Sequence, residues 1–153
     1  MRRLLPGILF FIYTLPAMAQ GAAGFSIIPE ADQQRMAVYY KGKLLTAYCY
    51  YPQSSKPILF PFHTVEGIAV TRGYPFLDIP GERTDHPHHS GVWLNYESVN
   101  GLDFWNNSPA IPADRKHRYG SIVHEQVSSE QVTDSSALPT ATAYWVNSID
   151  SVL

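Results

Sequence analysis

The sequence has a single cysteine, Cys49. No internal disulfide can form, so the fold must rest on burial and hydrogen bonding. Charge is sparse and nearly balanced, with 11 Lys and Arg against 13 Asp and Glu. That balance leaves no basic face for nucleic acid or acidic lipid, and nucleic acid is excluded as a partner. No segment carries apolar residues at a sustained helical period, and no internal repeat is visible. No apolar run has the length of a comfortable membrane span.

The chain opens MRRLLPGILFFIYTLPAMA. Arg2 and Arg3 make a positive n-region, and Leu4 to Leu15 a short apolar run broken by proline. Ala17-Met18-Ala19 fits a small-x-small cleavage site. Residues 1–19 are therefore expected to be a signal peptide, with Gln20 as the new N-terminus. No cysteine follows that site to take a lipid. The expected location is periplasmic or secreted, with no stable membrane anchor after signal cleavage. Cys49, in the strand-like run TAYCYY, is expected to be a buried, inert thiol.

Residues 20–153 read as an all-β domain. Strands are expected at Gly24 to Ile28, and in a hairpin of Met36 to Tyr40 with Leu44 to Tyr51 around Lys41-Gly42-Lys43. Pro52 to Pro61 reads as an edge or loop, because each proline lacks a ladder donor. Ile68 to Thr71, Ser121 to Val127 and Thr140 to Val146 read as further strands, with Ser128 to Pro139 as a polar link. Tyr74 to Thr84 and Asn106 to Arg118 read as loops. Many short strands between turn signals argue for a sandwich or barrel.

The densest chemistry lies in GERTDHPHHSGVWLNYESVNGLDFW, Gly81 to Trp105. It holds three of the six histidines and two of the three tryptophans. Pro87 disfavours a helix and pushes His86 toward the extended region. An extended chain would place His86 and His88 on one face, with Asp85 and His89 on the other. Ser90-Gly91 allows a bend. Gly91 to Val99 reads as a strand with Val92, Leu94 and Tyr96 toward a core. Trp93, Asn95 and Glu97 would then face a wet groove. Asn100-Gly101 between apolar runs is a strong hairpin signal.

The DHPHHSGVW and VNGLDFW motifs, preceded by KPILFP and VTRGYP, resemble the PmoA-like family of bacterial exported proteins. The family often carries the label "methane oxygenase PmoA", and its function is largely unestablished. The resemblance runs from about Ala37 to Val146 by motif spacing. It implies a β-sandwich akin to the galactose-mutarotase type, in a longer chain. Tyr144-Trp145-Val146 resembles a mid-domain strand, so the sequence is expected to be the N-terminal part of such a domain.

Three chemistries fit the histidine-rich stretch. As an acid–base site for carbohydrate, a histidine and Glu97 would act on a sugar, with His86, His88 and His89 as the candidates. Trp93 would stack on the ring, and Asp85 and Asn95 would bind hydroxyls. The activity would be that of an epimerase, lyase or hydrolase, or the same face could bind glycan without turnover. As a divalent-metal site, His86 and His88 would ligate, with a third ligand from His63, His124, Glu66, Asp103 or residues elsewhere. As a structural device, the cluster would brace a loop through backbone hydrogen bonds, with Trp93, Phe104 and Trp105 in the core. Arg72 and Arg83 read as loop-bracing or surface residues. A membrane-embedded oxygenase subunit is disfavoured by the missing long apolar helix.

Overall fold

The computed structural model describes residues 24–148 and 152–153. The expected signal peptide, residues 1–19, lies outside the described residues. The described chain is all-β, as expected. A four-stranded antiparallel meander comes first: β1 (Phe25–Glu30), β2 (Arg35–Tyr40), β3 (Lys43–Cys49) and β4 (Ile58–Phe62), adjacent in chain order. Lys41 and Gly42, both at positive φ, turn β2 into β3. A small hairpin follows, β5 (Ser98–Val99) and β6 (Leu102–Asp103), closed by Asn100-Gly101 at φ 50° and 80°. A long ribbon ends the chain, β7 (Ser121–Val132) with β8 (Ala137–Val146).

Alternation along the strands gives the meander two apolar faces. One carries Ala37, Ala47, Cys49, Ile58 and Phe60, all buried, with Phe76 and Trp93 packed against them. Cys49 is fully buried, and its thiol donates to the Phe60 carbonyl at 3.1 Å. Burial pushes the thiol pKa up, so it is inert as expected. The other face carries Met36, Val38 and Tyr48. The ribbon covers it: Tyr48 and His124 share a hydrogen bond of 3.2 Å, and the His124 ring stacks on Tyr50 at 4.2 Å. Ile122 N–H donates to the Ser55 carbonyl, and Phe104 meets Trp145 with ring centres 4.6 Å apart. The result is two layers, a sheet and a crossing ribbon.

Three local expectations need correction. Ser128 to Pro139 is not a link: both strands run through it, and only Thr133 to Ser136 turns. Its polar side chains are the exposed flanks of a ribbon, where ladder bonds rather than burial hold the chain. Ile68 to Thr71 forms no strand, only a bridge between Ala69 and His63. Val65, Ile68 and Val70 there are more than half exposed, with nothing above them to bury. The prolines of Pro52 to Pro61 do mark an edge, yet β4 forms within that stretch. Its free side is patched by Val92, which exchanges two backbone hydrogen bonds with Leu59 at 2.7 and 3.0 Å. No helix among the described residues is long and apolar enough to cross a membrane.

Candidate functional site

The histidines sit on a turn rather than an extended segment. His86 has φ 49°, and His89 N–H donates to the His86 carbonyl at 2.9 Å. Pro87 takes the second position of this turn, where its fixed φ is favoured. The expectation that His86 and His88 share one face, away from His89, is therefore wrong. The turn instead gathers all three rings, with centres 5.7 Å apart for His86 and His88, 5.1 Å for His86 and His89, and 4.3 Å for His88 and His89.

Arg72 explains why the turn holds this shape. Its guanidinium donates to the carbonyls of Asp85 at 2.5 Å, His86 at 2.8 Å, His89 at 3.1 Å and Tyr74 at 3.3 Å. It also approaches the Asp85 carboxylate at 3.4 Å. Asp85 pairs with Arg83 and with His86 Nδ1, each at 3.0 Å. Desolvation alone would raise the Asp85 pKa. The His86 hydrogen bond and the Arg83 charge outweigh it and hold the carboxyl below its usual value. Glu82 adds a second brace by accepting the N–H groups of Gly73 and Tyr74 at 2.8 Å.

The strand expected from Gly91 to Val99 is absent apart from the Val92 bridge and β5. From Val92 to Tyr96 the alternation is real, but its faces are inverted, while Glu97 is exposed. Val92, Leu94 and Tyr96 are exposed, at 46%, 85% and 66%. Trp93 packs on the core, and Asn95 donates to the Phe104 carbonyl at 2.7 Å. Gly91 sets this direction: at φ 62°, a Cβ there would lie 2.5 Å from the Leu59 carbonyl oxygen. Docking Val92 on the β4 edge turns its odd-numbered neighbours inward. The exposed ring beside the histidines is Trp105, edge-on to both Trp93 and His89.

The residue that sequence reasoning missed is Lys56. It is 3% exposed, in the bend just before β4. Its Nζ donates to the Trp105 carbonyl at 3.2 Å and lies 5.1 Å from the centre of the Trp93 ring. Burial pushes its pKa down to about 8, against the pull of Asp103. The signal available in the sequence was a lone charge in SSKPILF, entering an apolar strand.

Lys56 and His88 line one cavity of about 400 Å³, together with Phe76, Ser90, Asn107 and Pro109. Burial, followed by the charges of His89, Lys56 and His86, pushes His88 below the usual imidazole value. Burial, then His86 and Arg72, does the same to His89. The cavity wall thus carries an imidazole and an ammonium, both of which burial has shifted toward their neutral forms.

Glu97 lines other cavities, one with Asn95 and Trp105 and one with Asp103 and Arg118. Glu97 and His88 thus line different cavities, and the residue that shares a cavity with His88 is Lys56. The third metal ligands considered are largely engaged elsewhere. His63 Nδ1 contacts the Leu44 carbonyl, and His124 is bound to Tyr48. Both Asp103 oxygens accept from Asn106. Among the described residues no group of three or more His, Cys, Asp and Glu is arranged to hold a metal ion.

Residues 35–153 match DUF6807, described as a family of unknown function. No curated protein and no solved structure matches the chain.

Proposed function

This chain belongs to the DUF6807 family, and we propose that it is an exported carbohydrate-directed protein whose site is the cavity between the histidine turn and Lys56. The observation that carries the reading is the sharing of one cavity by His88 and a buried lysine. A volume of about 400 Å³ suits a small sugar. Phe76, Pro75 and Pro109 offer apolar walls for a ring face, and a few polar groups converge on it, the usual make-up of a small-molecule site. His88 is the general base, and Lys56 the acid or charge partner. Proton transfer to and from a sugar carbon or oxygen, as in an epimerase or lyase, is the reaction class this pair serves. The PmoA-like resemblance, with its mutarotase-type sandwich, supports the same class, and the apolar stretch before Ala19 supports export.

The test is ligand-observed NMR and calorimetry on the chain with a panel of monosaccharides and uronates. A sugar that binds the native protein and loses about tenfold or more in affinity with His88→Ala supports the site. Binding that His88→Ala leaves unchanged, in a variant with native unfolding behaviour, removes it.

A further inference from the structure

Lys56 is buried, yet among the described residues no carboxylate forms an ion pair with it. Its ammonium has three N–H donors. One reaches the Trp105 carbonyl, and the Trp93 face lies beside the charge. Among the described residues the other two donors meet no acceptor within hydrogen-bond distance, and a buried ammonium without a counter-charge is costly. Asp103 contributes a negative field, but its oxygens are engaged by Asn106 at 2.9 and 2.8 Å. The open side of Lys56 is the cavity it shares with His88.

We propose that Lys56 is a ligand-contacting cation, and that the ligand carries a carboxylate which pairs with its Nζ. On the sugar reading above, on which this rests, the substrate class is an acidic sugar, a uronate. A single negative charge fits the site better than two. Arg72, which holds the histidine turn, has its donors committed to the Asp85 carboxylate and to the Asp85, His86, His89 and Tyr74 carbonyls. A phosphate dianion would meet one available cation, whereas a carboxylate needs only one. The carboxylate would supply the acceptors that Lys56 lacks, and the ring would lie against Phe76 and the proline walls.

The test is calorimetric titration of the full chain with galacturonate, glucuronate and the matching neutral sugars, at one fixed ionic strength. Native protein, Lys56→Met and Lys56→Gln are compared; both replacements keep much of the stem and remove the charge. The native protein is expected to bind a uronate about tenfold or more tightly than its neutral counterpart. Both variants are expected to bind the two alike. A uronate preference that persists in both variants overturns the role of Lys56. Equal binding of uronate and neutral sugar by the native protein overturns it as well, and leaves the sugar reading standing. If no sugar of either kind binds the native protein, both ideas fall.

Discussion

Arg72 Nε donates to the His89 carbonyl at 3.1 Å while the same guanidinium reaches the His86 carbonyl at 2.8 Å. The first and last residues of the histidine turn are thus held by one planar fork, across a Pro87 that is already stiff. A lysine offers a point charge and cannot span both carbonyls. Arg72→Met is expected to cost about 2–4 kcal/mol, and Arg72→Lys about 1–2 kcal/mol. Denaturant unfolding of the two variants checks this. A methionine variant as stable as the native protein would refute the brace.

Gly120 sits under Phe104, the largest fully buried side chain. A Cβ at Gly120 would come within 2.1 Å of the Phe104 ring. Phe104 in turn packs on Trp145, so the ring cannot withdraw without shifting the ribbon. Gly120→Ala is expected to destabilise by about 2–3 kcal/mol through overpacking. The Trp145 fluorescence should report the displacement. An alanine variant with native stability and spectrum would count against the packing described.

The pH dependence of stability follows from His88, His89, His124 and Lys56. Burial is the first cause that lowers each of the three imidazoles. Their unfolded counterparts titrate near about 6.5, so the unfolded chain binds more protons below that pH. The stability these groups contribute is therefore present above about pH 6.5 and lost as pH falls toward their folded values. Lys56 acts at the other end. Its folded pKa is about 8 against 10.5 unfolded. Stability rises as pH increases above 8, until the tyrosines reverse it: burial raises Tyr48 and pushes Tyr51 up to about 12. Lys56→Met should abolish the alkaline rise and gain roughly 2 kcal/mol at pH 7. Urea midpoints measured from acid to alkaline pH test the signs. Stability that climbs on acidification would contradict the histidine assignment.

What could be read from the sequence was the local chemistry. Lys41-Gly42 and Asn100-Gly101 form turns because φ > 0 is built into those residues. The burial of Cys49 followed from its apolar strand. What could not be read depends on contacts distant in sequence. The left-handed φ of His86 is held by Arg72, 14 residues away. The inward direction of Trp93 and Asn95 depends on where Val92 docks on β4, so the alternation was legible and its direction was not. The burial of Lys56 was not legible because nothing near it in sequence predicts its contacts with Trp93 and Trp105. The extension of β7 and β8 through a polar stretch comes from ladder pairing, which leaves little trace in hydrophobic pattern.

The two tryptophans beside the histidine turn differ in burial and in role. Trp93 packs on the Phe60 cluster beneath the Lys56 ammonium, so its role is to support the cavity. Trp105 is 39% exposed and stands edge-on to His89, at 6.3 Å between ring centres. Trp93→Ala is expected to cost about 2–3 kcal/mol of stability, because it empties space against a packed cluster. Trp105→Ala is expected to cost less than about 1 kcal/mol and to leave sugar binding unchanged, because Trp105 lines a separate hollow with Asn95 and Glu97. Unfolding and titration of the two variants side by side separate the roles. Sugar binding that falls with Trp105→Ala, in a variant of native stability, would place the sugar on the Trp105 face and outside the Lys56 cavity.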